Sequence, residues 1–246
     1  MERIIAIIPA RYESRRFPGK PMALINGKPM IQWVYERVSN AQKVSETYVA
    51  TDDERILDCV RGFNGKAVMT SAKHESGSDR LAECAEILKL KENDIILNIQ
   101  GDEPLIQEIM IQELISTMTD PKIYMGTLKE KIINIDDIKN PNIVKVITDV
   151  NGNAIYFSRY PIPYNRNDLK DIVYYRHVGV YAYRAFFLKK YTQLPKARLE
   201  MAESLEQLRA LENGYKIRVT KTQCSSIGVD TAEQIKQVEE IMRRQK

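Results

Sequence analysis

Arg3-Ile-Ile-Ala-Ile-Ile-Pro-Ala-Arg-Tyr-Glu-Ser-Arg-Arg-Phe-Pro-Gly-Lys-Pro21 is the stretch on which the reading of the whole chain turns. Its first half is a short, continuous apolar run. Such runs form strands buried on both faces, as in a parallel sheet covered by helices. Its second half places Arg11, Arg15, Arg16 and Lys20 within ten residues, directly after the strand. Open α/β sheets bind ligands at the carboxyl ends of their strands. A basic loop at that edge is suited to a triphosphate.

The pattern recurs along the chain. Residues 47–51, 66–70 and 94–100 read as further strands, the last the strongest buried-strand signal. Between them, residues 27–38 repeat Ile31, Val34, Tyr35 and Val38 at helical spacing, with Pro29 suited to a first turn. Asp52, Asp53 and Glu54 open a helix carrying Ile56 and Val60. Residues 78–88 read as a helix with Ser78 as N-cap and Leu81, Ala85 and Leu88 on one face. Strands alternating with helices imply βαβ units and a mainly parallel sheet.

The rhythm changes after about residue 121. Two alternating runs, 143–148 and 153–158, flank Asn151-Gly152, a hairpin signal. Residues 174–183 form an aromatic-rich strand in which His177, Gly179 and Tyr181 are expected on one face. The middle of the chain, about 122–190, is therefore expected to be an antiparallel lobe inserted in a single domain spanning residues 1–246. Beyond it, residues 199–214 read as one helix, with Ala202, Leu205 and Leu208 inward and Gly214 as its stop. A strand at 216–220 follows. Thr231 and Gln234 then fit a capping box opening a last helix, striped by Ile235, Val238 and Met242.

Composition narrows the function classes. The 246 residues are 43% hydrophobic, enough for a substantial core, and no run reaches the length of a membrane span. Arg11 follows the first apolar run too soon for a signal peptide, so a cytoplasmic location is expected. Cys59, Cys84 and Cys224 show no metal-ligand spacing and are expected to be reduced thiols. The net charge of +4 is interspersed with acids outside the first loop, which argues against nucleic acid as the partner.

The first loop and three further constellations carry chemistry. The first loop contains Gly19-Lys20 but departs from a P-loop, with Ser14 in place of the first glycine and Pro21 in place of the Ser/Thr that holds magnesium. A metal must then be held from elsewhere. Asp102, in Gln100-Gly-Asp-Glu-Pro104, follows a buried strand and offers a hard oxygen; an N-cap role is its structural alternative. Asp230, in Gly228-Val-Asp-Thr231, is either helix-start decoration or a second carboxylate. Ser76-Gly77-Ser78, before Arg80, offers backbone amides at a helix mouth.

These motifs, taken in order, resemble the 3-deoxy-manno-octulosonate (Kdo) cytidylyltransferase family. The resemblance rests on Pro9-Ala-Arg11, Pro18-Gly-Lys-Pro21, Asn26-Gly-Lys-Pro-Met-Ile31, His74-x-Ser-Gly-Ser-Asp-Arg80 and Asn98-x-Gln-Gly-Asp-Glu-Pro104. It continues through Asn140-Pro-Asn142, Tyr156-Phe-Ser-Arg159, His177-Val-Gly-Val-Tyr181, Leu205-Glu-Gln-Leu-Arg209 and Gly228-Val-Asp-Thr231. It covers nearly the whole chain. Arg15, an extra cation, and the segments 182–183 and 196–200 are its points of departure.

The resemblance implies a Rossmann-like α/β nucleotidyltransferase fold with a mainly parallel mixed sheet and a smaller antiparallel lobe, paired as a homodimer. It implies transfer of CMP from CTP to the anomeric hydroxyl of Kdo, releasing pyrophosphate, for lipopolysaccharide assembly. By similarity Arg11 and Lys20 bind the triphosphate, with Ala10, Ser76, Gly77 and Arg80 around the nucleotide. Asp102 and Asp230 would hold Mg2+. Arg16, Gln100, Arg159, His177, Tyr181, Glu206 and Gln207 would surround the sugar. No side chain stands out as a general base, so the metal is expected to acidify the sugar hydroxyl. The alternatives are a cytidylyltransferase for 8-amino-Kdo or another acidic sugar, and a non-catalytic nucleotide- or polyanion-binding protein.

Overall fold

The computed structural model describes residues 2–13 and 17–244; Ser14, Arg15 and the expected sugar contact Arg16 lie outside them. The chain begins with β1 (Ile4–Ala10), in which Ile5, Ala6, Ile7 and Ile8 are fully buried. A tiny antiparallel pair, β2 (Leu24–Ile25) and β3 (Lys28–Pro29), leads into α1 (Met30–Ser39). Pro29 therefore ends a strand and caps α1 instead of sitting inside its first turn. β4 (Glu46–Thr51), α2 (Glu54–Gly62), β5 (Ala67–Met69), α3 (Gly77–Ile87), β6 (Ile95–Asn98) and α4 (Glu108–Ser116) complete the alternation. β6, β1, β4 and β5 lie side by side, all parallel. Their carboxyl ends consequently share one edge, and the basic loop, Asp52, Ser76 and Gln100–Asp102 follow at that edge.

The cap of α3 falls two residues before its expected place. Ser76 accepts from the Asp79 amide at 3.2 Å, and Asp79 Oδ2 accepts from the Ser76 amide at 3.1 Å. That reciprocal pair outcompetes a cap by Ser78, which is buried within the helix.

The middle of the chain holds β7 (Met125–Lys131), a short α5 (Ile135–Lys139), β8 (Lys145–Thr148), β9 (Ala154–Ser158) and β10 (Tyr175–Arg184). β8 and β9 form the expected hairpin, its turn held by Asp149 and by Gly152 at φ 77°. β7 pairs antiparallel with β10, and β10 with β8. Then come α6 (Ala185–Gln193), α7 (Arg198–Glu203), α8 (Leu208–Glu212), β11 (Ile217–Thr222), parallel to β7, and α9 (Ala232–Arg244).

The single helix expected over 199–214 is in fact α7 and α8, separated at Ser204, whose φ is 51°. Tertiary partners break it. Glu200 is buried against Arg209, accepting from Nε at 2.8 Å and Nη2 at 2.5 Å, while Glu203 accepts from Ser158 Oγ and the Arg159 amide. Leu205 and Leu208 are buried, but Ala202 is exposed. The cysteines are free thiols, as expected.

Two compact units result. One comprises Met1–Gln112, Arg184–Thr192 and Ser226–Lys246; the other comprises Glu113–Tyr183 and Gln193–Ser225. In the first, Ile25, Met30, Leu105, Val229, Val238 and Met242 form one buried cluster. It anchors α9 beneath the loops that follow β1 and β6. Each such buried side chain contributes about 1.5–3 kcal/mol.

Candidate active site

In the first unit, a cleft of about 240 Å³ opens at the carboxyl edge of the parallel strands. It is lined by Pro9, Ala10, Arg11, Lys20, Gln100, Gly101 and Asp102 among others. The loop after β1 closes on itself through the Gly19 amide, which donates to Tyr12 O at 2.8 Å. Gly19 has φ 70°, and a Cβ there would meet the Tyr12 ring at 3.3 Å. The Arg55 guanidinium covers the Tyr12 ring at 3.3 Å. A 3-10 turn begun by Lys20-Pro21 follows and fixes the direction of Lys20.

Lys20 Nζ lies 2.5 Å from Asp102 Oδ2 and 3.6 Å from Asp230 Oδ1. The lysine is 15% exposed and the carboxylates 31% and 46%. The backbone makes this convergence. Gly101 packs so closely that a Cβ would lie 3.2 Å from Pro9 O, and the Val229 amide donates to Asp102 O at 2.9 Å. Ser226 Oγ donates to Glu103 Oε2, a second tie between the two loops. Neither tie was readable from the sequence, where residues 103 and 226 stand far apart.

The turn into α3 reaches the same edge. Arg11 Nη2 donates to His74 O at 2.5 Å and sits 3.4 Å from Ser76 O. Gly77 lies against Pro9, a Cβ there coming 3.9 Å from its ring. His74 Nε2 pairs with Glu83 Oε2 at 2.5 Å. Burial acts to raise the Glu83 pKa, but the Ser71 amide and His74 outweigh it and hold the carboxyl below its ordinary range. Arg80 is fully buried, donating to Thr70 Oγ1 at 2.5 Å and Asp52 Oδ2 at 2.7 Å. It braces the strand ends beneath the Ser76–Gly77 turn.

Among the described residues, the sugar candidates Arg159, His177, Tyr181, Glu206 and Gln207 belong to the second unit. Arg159 donates from Nε to Glu203 O at 2.7 Å, from Nη1 to Pro141 O at 2.9 Å and from Nη2 to Ser204 O at 3.2 Å. Three of its five N–H groups are thereby fixed. Gln207 is 5% exposed, and its Nε2 has no hydrogen-bond partner. A buried orphan donor is costly unless a ligand satisfies it. Glu206 Oε1 stands 3.9 Å from Arg209 Nη2. His177 stacks edge-on to Phe157 at 5.0 Å and meets Tyr181 at 5.3 Å between ring centroids. Burial of the ring, then the Arg176 charge, pushes its pKa down to about 3, so it is neutral near pH 7. Burial likewise raises the Tyr181 hydroxyl well above its ordinary value.

Residues 5–217 match the family model described as cytidylyltransferase. The chain is 51% identical over 243 residues to a 3-deoxy-manno-octulosonate cytidylyltransferase of Syntrophus aciditrophicus, covering 98% of both chains. It is 55% identical over 240 residues to one from Geotalea daltonii, covering 93% of this chain and 94% of that one. The chain belongs to the 3-deoxy-manno-octulosonate cytidylyltransferase family. It is accordingly a nucleotidyltransferase.

A solved structure of CMP:2-keto-3-deoxy-manno-octonic acid synthetase complexed with CTP matches it at TM-score 0.95 and 43% identity over 100% of both chains. A Leptospira borgpetersenii cytidylyltransferase, 13% identical at TM-score 0.65 over 99% of this chain and 88% of that one, shares the fold. The Rossmann-like class with a mainly parallel mixed sheet, expected from the sequence, is the class found.

The solved relative holds CTP, and the charge of a triphosphate calls for a divalent cation. Among the described residues no cluster of three or more His, Cys, Asp or Glu converges. Mg2+ does not need one: it keeps several waters and takes one or two carboxylates plus phosphate oxygens. Asp102 and Asp230 supply two hard oxygens already converging on one positive point, the Lys20 ammonium. The residues present fit the ion.

Proposed function

We propose that this chain transfers CMP from CTP to the anomeric hydroxyl of Kdo, giving CMP-Kdo and pyrophosphate for lipopolysaccharide assembly. One observation carries the reading: Lys20, Asp102 and Asp230, from three separate segments, meet beside a cleft lined by Arg11, Gln100 and Gly101. A site built only to bind polyanions has no use for two carboxylates at its centre, which disfavours a non-catalytic role. The high identity to Kdo cytidylyltransferases over nearly the whole chain supports the choice of sugar.

In this reading Arg11 and Lys20 hold the triphosphate, with the Ser76–Gly77 turn and Ala10 against the nucleoside. Charge develops on the α-phosphate oxygens and the departing pyrophosphate, and fixed cations stabilise it without reorganising. Asp102 and Asp230 hold Mg2+, which supplies further neutralisation of the triphosphate when bound. Gln207 donates to the sugar, His177 and Tyr181 meet its hydroxyls, and the remaining N–H groups of Arg159 face its carboxylate. Glu206 belongs to the same sugar set, and Gln100, in the first unit, is assigned to the sugar by the family resemblance alone. Following the family resemblance, we place the enzyme in the cytoplasm as a homodimer. No described helix is long and apolar enough to cross a membrane.

Incubation with CTP, Mg2+ and one acidic sugar at a time tests the assignment, with nucleotide-sugar product as the readout. Kdo is expected to give CMP-Kdo, and Asp102→Ala to abolish turnover while preserving the folded circular-dichroism spectrum. Product with 8-amino-Kdo or a nonulosonate and none with Kdo would overturn the choice of sugar. Near-normal turnover of Asp102→Ala would overturn the metal assignment.

A further inference from the structure

Thr127 lies in β7 and is fully buried. It faces an irregularity in β10: Leu128 pairs with Val178, but Thr127 pairs with Tyr181, so Gly179 and Val180 bulge out of the ladder. The Thr127 hydroxyl fills the gap. Its Oγ1 lies 2.7 Å from Val180 O, 3.1 Å from Val178 O and 3.0 Å from His177 Nε2. No sequence motif singled out this residue.

The proton count settles the arrangement. A hydroxyl has one proton and two lone pairs, and carbonyl oxygens only accept. The Thr127 proton therefore goes to the carbonyls, chiefly to Val180 O. Were Nε2 bare, that same proton would have to turn to it, leaving hydroxyl lone pairs against two carbonyl oxygens. The repulsion is avoided only if Nε2 carries a proton and donates to Oγ1. A neutral imidazole protonated at Nε2 has a bare Nδ1.

We infer that Thr127 is a positioning residue that fixes the Nε2–H tautomer of His177, so that Nδ1 presents a hydrogen-bond acceptor to a donor group of the acidic sugar. The inference rests on the sugar-contact role proposed above for His177. Nδ1 bonds to no described residue, and part of the His177 residue is reached by solvent. The depressed pKa agrees, since a charged ring would donate from both nitrogens. An acceptor here selects a ligand hydroxyl over a ligand carboxylate, because two acceptors repel. His177 and Arg159 thus divide the sugar: one accepts a hydrogen bond from a hydroxyl, the other donates to the carboxylate.

Two measurements separate this inference from the functional reading. Long-range 1H–15N spectra of the ligand-free enzyme at neutral pH report each ring nitrogen, and with only two histidines in the chain the pattern is simple. Wild type and Thr127→Ser are expected to show a protonated Nε2 and a bare Nδ1 for His177. Thr127→Val is expected to lose that bias. In turnover, Thr127→Val is expected to raise KM for the sugar roughly tenfold, the worth of one hydrogen bond to a ligand, with KM for CTP unchanged and Thr127→Ser near wild type. A bare Nε2 or an imidazolium in wild type overturns the inference without reference to any substrate. A protonated Nε2 that persists in Thr127→Val also overturns it. A tautomer change with no change in sugar KM instead overturns the sugar contact of His177.

Discussion

Lys20→Met isolates what the ammonium does at the centre of the cleft. The lysine is within 3.6 Å of both Asp102 and Asp230, where it occupies the carboxylate oxygens that the proposed function assigns to a divalent ion. Each ion pair is partly exposed, so solvent screening reduces its worth to about 1 kcal/mol. Removing the ammonium frees both carboxylates and deletes a positive charge that repels the metal. The gain is about 1–2 kcal/mol, or roughly a 5- to 30-fold tighter site for a divalent ion. Lys20→Met is therefore expected to bind metal better and to work worse, because the triphosphate loses its lysine. The assay is titration of the ligand-free proteins with Mn2+, followed by the electron paramagnetic resonance of the free ion, alongside pyrophosphate release. The double variant Lys20→Met/Asp102→Asn is expected to lose the gain. Unchanged or weaker Mn2+ binding in Lys20→Met would refute the shared use of these carboxylates by lysine and metal.

Two further outcomes test the fold. Gly126→Ala places a Cβ 1.8 Å from Thr117 Oγ1 and 2.5 Å from its Cβ, so it should cost about 1–3 kcal/mol in urea unfolding, with Thr117→Ala recovering part; an unchanged midpoint would contradict the packing. His177 stays neutral in the fold down to about pH 3, whereas the unfolded chain takes up that proton below about 6.5, so stability falls as pH drops through this window, by at most about 1.4 kcal/mol per unit. Glu83, Asp94 and Glu200, all held below the ordinary carboxylate range, steepen the loss below about pH 4.5. Thermal melts of His177→Gln should lose the slope between pH 6.5 and 4.5, and an identical slope in that variant would rule His177 out as its source.

The first strand was legible because its signal is local: an unbroken apolar run needs burial on two faces. Asp102 and Asp230 were legible only as separate loops, since the bond from the Val229 amide to Asp102 O joins residues with no local signature. Helix caps were misplaced where several residues compete. Ser76 and Ser78 are equivalent by composition, and Asp79 reaching back decides between them. The helix over 199–214 had good periodicity and was still broken, because the buried Glu200–Arg209 pair and the partners of Glu203 outweigh the few tenths of a kcal/mol that propensity supplies per residue. Arg80 and Arg159 illustrate a further limit. Sequence marks an arginine as a cation, but only tertiary structure reveals how many of its N–H groups already hold carbonyls and hydroxyls of the protein itself.

The cluster that seats Val229, Val238 and Met242 against Ile25, Met30 and Leu105 has a consequence for biosynthesis. The ribosome releases Lys20 and Asp102 long before Ser226 through Arg244. A nascent chain can thus assemble its parallel strands and basic loop while Asp230 has yet to emerge. Only when the final helix docks does the second carboxylate arrive. If Asp102 and Asp230 hold the metal as proposed, activity waits until translation is nearly finished, and a chain cut short before Ser226 would keep β1, β4, β5 and β6 while lacking half of the proposed metal-binding pair.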